Sequence, residues 1–252
     1  MSVNQTLPDS RTNPDGSAVV RVLSYNVRSM RDDEDALARV IRATDPDLVF
    51  VQEAPRFFRW RKHAARLAAK ADLFVLTGGA TAAGPLLLCS LRATVERTED
   101  VLLPISPGLP RRGFATAVVR FGASARVGVI SCHLSLDAVE RRAQAGMLLD
   151  RLAGLPTRHA IAAGDLNEEP TGAAFRLLAA DLQDCWSAAR WGGEHTFPQS
   201  APRKRIDAVF ATRGVEVHAC GVPSGLVGVS PRDLTSASDH LPVLAALTIP
   251  AG

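Results

Sequence analysis

Several things are scarce in this chain, and each scarcity closes a possibility. Its four cysteines, Cys89, Cys132, Cys185 and Cys220, lie far apart with no C-x-x-C spacing. That spacing is poor for a zinc site or a disulfide framework, and free buried thiols are the better reading. No apolar run approaches the length needed to span a bilayer. The opening residues, MSVNQTLPDSRTNPDGS, have neither the basic start nor the apolar stretch of a secretory signal. They read as a polar, disordered tail over residues 1–17 of a cytoplasmic protein. Aromatic residues amount to only 5% of the chain, fewer than expected of a protein that grips a nucleic-acid duplex through aromatic loops. Net charge is also small, +3 at neutral pH, which permits a polyanionic partner without demanding one.

What is present is the composition of a globular protein: 252 residues, 46% apolar and 22% charged. That length suffices for one large core, and residues 18–252 read as one domain. AVVRVLSYNV has the β-branched content of a strand, and RDDEDALARVIRAT reads as a helix with an acidic start and Leu37, Val40 and Ile41 on one face. DPDLVFVQEAP is a short apolar strand bounded by prolines. A basic helix follows in RFFRWRKHAARLAAK, with Phe57, Trp60 and Ala64 expected on its buried side. Strands then run in succession up to ARVGVISCHLS. The next helix, AVERRAQAGMLLDRLAGL, is expected to bury Val139, Ala143, Met147 and Leu148. HAIAAGDLN, RIDAVFAT, VEVHAC and LPVLAALTI supply further strands. Crossover helices mixed with runs of adjacent strands predict an α/β fold of two packed mixed sheets with helices outside them, four layers in all.

Many of these strands end in polar residues that packing does not call for. They are Asn26, Gln52 with Glu53, His133, Asp165 with Asn167, Asp207, and Asp239 with His240. Singly, each has an ordinary reading as a helix cap, a turn former or a satisfied hydrogen-bonding group. Together they can converge on one cleft, and their chemistry is coherent. A hard divalent cation takes carboxylate oxygens and keeps several waters, so Glu53 with Asn26 and Asp239 would suffice to hold it. Zinc would recruit cysteine or several histidines.

The ordered motifs YNV, QE, CHL, GDLN, RIDAVF and SDHLPV, spread from about Val19 to Ile249, resemble those of the endonuclease/exonuclease/phosphatase family. The resemblance implies a four-layered αββα sandwich and Mg²⁺-dependent cleavage of phosphate esters, with Mn²⁺ as a substitute. It implies that Glu53 binds the metal with support from Asn26, while Asp165 and Asn167 position the attacking water and the phosphate. His240 is similar to the family histidine that acts as base or transition-state stabiliser, Asp207 to the acid that orients it, and His133 to a second histidine that donates to a phosphate oxygen. Two departures stand out. Arg28 occupies a position where some members carry a second acid, and no upstream acid is evident to orient His133.

Substrate identity must come from the loops. PISPGLPRRGF and EHTFPQSAPRKRID each precede a strand and bring Arg111 with Arg112, and Arg203, Lys204 and Arg205. These read either as anion-binding walls or as solvated charge, with Arg111, Arg112 and Arg205 as candidate substrate contacts. Trp186 and Trp191 could stack on a base or belong to the core. His63, His159, His195 and His218 match no motif. The chain has neither the Trp-Cys-Asp-Arg signature of the family's inositol phosphatases nor the aromatic hairpin of its sphingomyelinases. The expected substrate is a phosphodiester of DNA or RNA, with a small phosphorylated metabolite or a lipid head group as the alternative. A catalytically dead member that only binds a phosphorylated partner is expected to have lost Glu53, Asp165 or His240, and all three are present.

Overall fold

Every residue of the strand Ala18–Asn26 is buried, which requires a covering layer on each of its faces. The computed structural model, which describes residues 7–252, supplies both layers. In chain order the elements are β1 (Arg11–Thr12), β2 (Ala18–Asn26), α1 (Glu34–Thr44), β3 (Leu48–Gln52), α2 (Trp60–Lys70), β4 (Phe74–Gly78), β5 (Leu86–Cys89), β6 (Ala93–Leu102), β7 (Gly113–Phe121) and β8 (Ala125–His133). They continue with α3 (Ala138–Ala153), β9 (Ala160–Asp165), α4 (Ala173–Asp181), β10 (Gln183–Asp184), α5 (Cys185–Ala188), β11 (Asp207–Ala211), β12 (Glu216–Gly221), α6 (Pro231–Ser236) and β13 (Val243–Ile249).

One sheet has the order β12-β13-β2-β3-β5-β4, with β1 added along β2; the other has the order β10-β11-β9-β8-β7-β6. Alternation along the strands sorts their side chains into three apolar layers. Val20, Val22, Leu48 and Phe50 meet Val127, Val129 and Ile161 between the sheets. Leu23, Tyr25, Val49 and Val51 pack against Leu37 and Ile41 of α1, Leu67 of α2 and Leu234 of α6. Ile130, Cys132 and Phe210 pack against Leu148 and Leu152 of α3 and Phe175 and Leu178 of α4. This is the expected αββα sandwich.

Local chemistry sets the helix starts. The Asp33 side chain accepts from the amides of Asp35 and Ala36 at the head of α1, and Asp137 accepts from those of Val139 and Glu140 at the head of α3. Three expectations are corrected. Phe57 is 81% exposed, because Arg59 takes a left-handed backbone conformation and α2 starts only at Trp60, so Phe57 is not on the helix face. Val139 is also 81% exposed; the buried stripe of α3 runs instead through Arg141, Gln144, Ala145, Leu148 and Leu152. The described part of the tail is ordered. Arg11 and Thr12 pair with β2, and the buried Arg21 donates to the carbonyls of Leu7 and Pro8 and to Asp9. Residues 1–6 of the expected tail lie outside the described residues. All four cysteines are buried and free.

Candidate active site

Each sheet contains one parallel pair among the described residues, β2 with β3 and β8 with β9. Parallel neighbours end at the same edge, so Asn26 lies opposite Gln52, next to Glu53, and His133 lies opposite Asp165. Antiparallel β11 starts where β9 ends, placing Asp207 beside Asp165. Strand β13 likewise starts beside the end of β2, Val243 against Ser24, which brings the preceding Asp239 and His240 to that edge. Topology thus collects, at one rim of the sandwich, residues from Asn26 to His240, more than two hundred positions apart. Gly164 permits the approach of β8 and β9, since a Cβ there would lie 1.9 Å from the carbonyl oxygen of Cys132.

The rim is a cleft of about 370 Å³ lined by Ser29, Glu53, Arg56, Arg112, His133, Asp165, Asn167, Phe197, Asp239 and His240, among others. Asp165 is its hub. Its Oδ2 accepts from Asn26 Nδ2 at 3.0 Å, its Oδ1 accepts from the Asn167 amide at 2.9 Å, and Oδ2 lies 3.4 Å from His133 Nε2 and 3.8 Å from His240 Nε2. Burial, then the charge of Asp207, raises the Asp165 pKa against the pull of both histidines. His240 Nδ1 is 2.9 Å from Asp207 Oδ2. Burial would lower the His240 pKa, but Asp207, Asp165 and Asp239 outweigh it and raise it to about 10. His133 has the opposite fate: burial dominates the attraction of Asp165, the cations around it add to the effect, and the pKa falls to about 4. Asn167 Nδ2, 3.1 Å from His133 Nε2, donates to a neutral imidazole, and also to the Leu134 carbonyl at 3.0 Å. The acidic neighbour of His133 is therefore Asp165 on the next strand, not an upstream residue.

On the facing side, Asn26 Nδ2 also donates to Glu53 Oε1 at 3.2 Å, and its Oδ1 accepts from the Arg28 amide at 3.0 Å. Glu53 adopts a left-handed conformation, with its carbonyl accepting from the Ser29 amide and the next amide, Ala54, donating to Gly84. That turn holds the carboxylate at the cleft. Asp239 Oδ2 lies 3.3 Å from Arg28 Nε, and the adjacent Ser238 hydroxyl donates to the Asn26 carbonyl at 2.7 Å. Glu53 and Asp239 offer carboxylate oxygens with no thiol or imidazole beside them, and Asn26 steadies Glu53 through its Nδ2, which fits a hard divalent cation. Asp165, Asp207 and His240 also offer three ligand atoms within 4.8 Å of one another. There the Asp207–His240 hydrogen bond already occupies the imidazole, and its positive charge opposes a second cation, so the Glu53 side is the better seat.

The three arginine candidates separate. Arg112 lines the cleft, whereas Arg111 is exposed and does not. Arg205 is corrected outright. It is 6% exposed and forms a two-pronged pair with Asp184, 2.9 Å on each prong, with its guanidinium 5.0 Å from the Phe175 ring centroid. An arginine buried that deeply is committed to its carboxylate. Trp186 belongs to the inter-sheet core and Trp191 packs against the helix-side core. Sequence reasoning missed Arg56, which lines the cleft, and Phe197, whose ring lies 4.8 Å from that of His240. Arg56 follows Glu53 by three positions, and that proximity was the available signal; nothing local marked Phe197.

Two back-to-back mixed sheets with acids, amides and histidines gathered at one rim define a metal-dependent phosphoester hydrolase. Residues 23–240 match the sequence profile of the Endonuclease/Exonuclease/phosphatase family, and the chain belongs to that family. Among solved structures it is similar to a member of the family from Bacteroides vulgatus, with 19% identity, 91% of this chain and 98% of that chain covered, and a TM-score of 0.76. A mannosyl-6-phosphatase from Bacteroides thetaiotaomicron VPI-5482 aligns at 17% identity over 90% of this chain and 99% of its own, with a TM-score of 0.72. TDP2 from C. elegans aligns at 19% identity over 91% of this chain and 75% of its own, with a TM-score of 0.69. At such identities the likeness is one of fold. No curated protein sequence matches the chain at a significant level. No helix among the described residues is long and apolar enough to cross a membrane.

Proposed function

We propose that this protein is a Mg²⁺-dependent phosphodiesterase that cleaves DNA or RNA, with Mn²⁺ able to replace Mg²⁺. One observation carries the nucleic-acid reading. Directly after Glu53, Phe57 and Phe58 stand 81% exposed, and the guanidinium groups of Arg56, Arg59 and Arg61 lie 6.0, 4.9 and 4.2 Å from the ring centroids of Phe57, Phe58 and Trp60. Exposed aromatic faces interleaved with cations suit unpaired bases on a phosphate backbone. Low aromatic content overall does not weaken this, since two exposed rings that follow the cleft residue Arg56 in the chain are enough to stack.

Glu53 and Asp239, with Asn26 holding Glu53 in place, would seat the cation. When bound, it neutralises charge developing on the phosphoryl oxygens. Asp165, buried and with its pKa raised, orients the attacking water and takes up its proton. Asn167 is fixed by its own amide on Asp165 and by its Nδ2 on the Leu134 carbonyl and His133, so its Oδ1 is left to accept from the attacking water and orient it. His240, held protonated by Asp207, donates from Nε2 to a phosphoryl oxygen. His133 remains neutral and, with Asn167, shapes the opposite wall.

The compact cleft also suits a small phosphoester, and the mannosyl-6-phosphatase that shares the fold lends that second reading support. The test is turnover of single-stranded and duplex DNA, RNA, an aryl phosphodiester, a sugar phosphate and a phosphoinositide, with Mg²⁺ or Mn²⁺ and a chelator control. The expected result is nucleic-acid cleavage that falls at least about tenfold in Phe57→Ser/Phe58→Ser, with the aryl diester changed less than about threefold. Turnover of the small esters alone would replace this reading with the second.

A further inference from the structure

Each buried arginine among the described residues has an acidic partner; a half-buried arginine in the cleft has none. Arg21 meets Asp9, Arg141 meets Glu168 and Arg205 meets Asp184. Arg112 is withdrawn from much of the solvent, its Nε is buried without a hydrogen-bond partner, and its guanidinium forms no ion pair with any described residue. Arg56, on the same cleft, donates only to the Ala83 carbonyl, at 3.3 Å. The two positive charges repel one another. A partly desolvated cation without a partner is costly, and a like charge beside it adds to the cost. Both costs are relieved when an oxyanion sits between the guanidinium groups.

The carboxylates of the cleft do not serve. Asp165 and Glu53 attract Arg112 electrostatically but spend their contacts on Asn26, on the Asn167 amide and on the two histidines. The backbone nonetheless brings both arginines to the cleft. Arg56 is bonded to the turn that closes at Gly84, and Gly113, next to Arg112, is pressed against that turn so closely that a Cβ would lie 2.5 Å from the Ala82 oxygen. The cleaved phosphate already has His240 in addition to the cation seat. The arginine pair is therefore available for a different group.

We propose that Arg56 and Arg112 form a second oxyanion subsite, which takes a phosphate group of the substrate adjacent to the phosphate that is cleaved. The inference rests on the phosphoester-cleaving reading of the site. In a polynucleotide the occupant is the neighbouring backbone phosphate; in a small substrate it is a second phosphate ester.

Equilibrium binding in EDTA tests it without turnover. A dinucleotide with its single internal phosphate is compared with the same dinucleotide bearing an added terminal phosphate, and a sugar monophosphate with the corresponding bisphosphate. Wild type should bind the two-phosphate member of at least one pair about tenfold more tightly. Arg112→Met and Arg56→Met should abolish that preference, while the one-phosphate ligands change less than about threefold; Arg112→Lys should keep part of it. Preference in the sugar pair alone would retain the subsite and remove the nucleic-acid reading. No preference in either pair would overturn the subsite. So would an equal loss for both members in Arg112→Met, which would make Arg112 a ligand of the cleaved phosphate. Because Arg112 has no partner to lose, Arg112→Met should melt at or above the wild-type temperature, and a lower melting temperature would also count against an unpaired cation.

Discussion

His133 and His240 face the same cleft, are each 6% exposed, and differ in charge. The side built by β11 and the loop before β13 gives His240 a carboxylate on Nδ1 at 2.9 Å and two more nearby, and these overcome burial. The side built by β8 and β9 gives His133 one shared carboxylate at 3.4 Å, and sets it close to Arg112, Arg56 and the charged His240. Equal burial therefore yields a cation on one side and a neutral ring on the other. What decides the state of a buried histidine is the balance of charges that the tertiary structure turns towards it.

The strongest way to break the contrast is at the carboxylate both sides share. Asp165→Asn should reduce kcat by at least about a thousandfold with the fold retained, measured by turnover alongside circular dichroism. A loss under about tenfold would remove Asp165 from the reaction. Next in size, His240→Ala should cost about a hundredfold or more and His133→Ala clearly less. Asp207→Asn should add little to His240→Ala, because groups acting as a unit are not additive. Multiplicative losses in that double variant would show that the pair does not act together.

A third measurement reads the contrast directly. Imidazole NMR on the metal-free protein should show His240 protonated until the pH nears about 10 and His133 neutral until it falls to about 4. The signs for stability follow from linkage. The contribution of His240 is complete below the ordinary histidine value of 6.5 and is lost as pH rises from there through about 10. His133 resists protonation only when folded, so its burial costs stability as pH falls from 6.5 towards about 4. Two histidines titrating together near 6.5 would refute the described charges. The smallest effect on turnover is expected away from both sides. Arg205→Ala, which strands Asp184 in the core, should lower stability by about 3–5 kcal/mol in denaturant unfolding yet leave kcat of the folded fraction within about threefold. A selective loss of substrate binding would return Arg205 to the cleft.

Most of the strands and helices, the four layers and the list of polar strand ends were legible in the sequence, because alternation, helical spacing and a polar residue ending an apolar run are local signals; β6, mostly exposed and without an apolar run, and the short β1, β10, α5 and α6 were not. Asn26, Glu53, His133, Asp165, Asn167, Asp207, Asp239 and His240 could be named that way, and they share one rim. Their partners could not be read. That Asp165 neighbours His133 follows from the parallel pairing of β8 with β9, and that Arg205 turns to Asp184 follows from the meeting of segments twenty-one positions apart. Phe57 emerged because a left-handed Arg59 delayed the helix. Whether a charge is paired, and so whether Arg112 waits for a ligand while Arg205 does not, depends on which distant side chains lie within about 3 Å in a low-dielectric interior. Residue type and spacing determined which chemical groups this protein carries to the end of its sheets; three-dimensional packing decided which of them face one another.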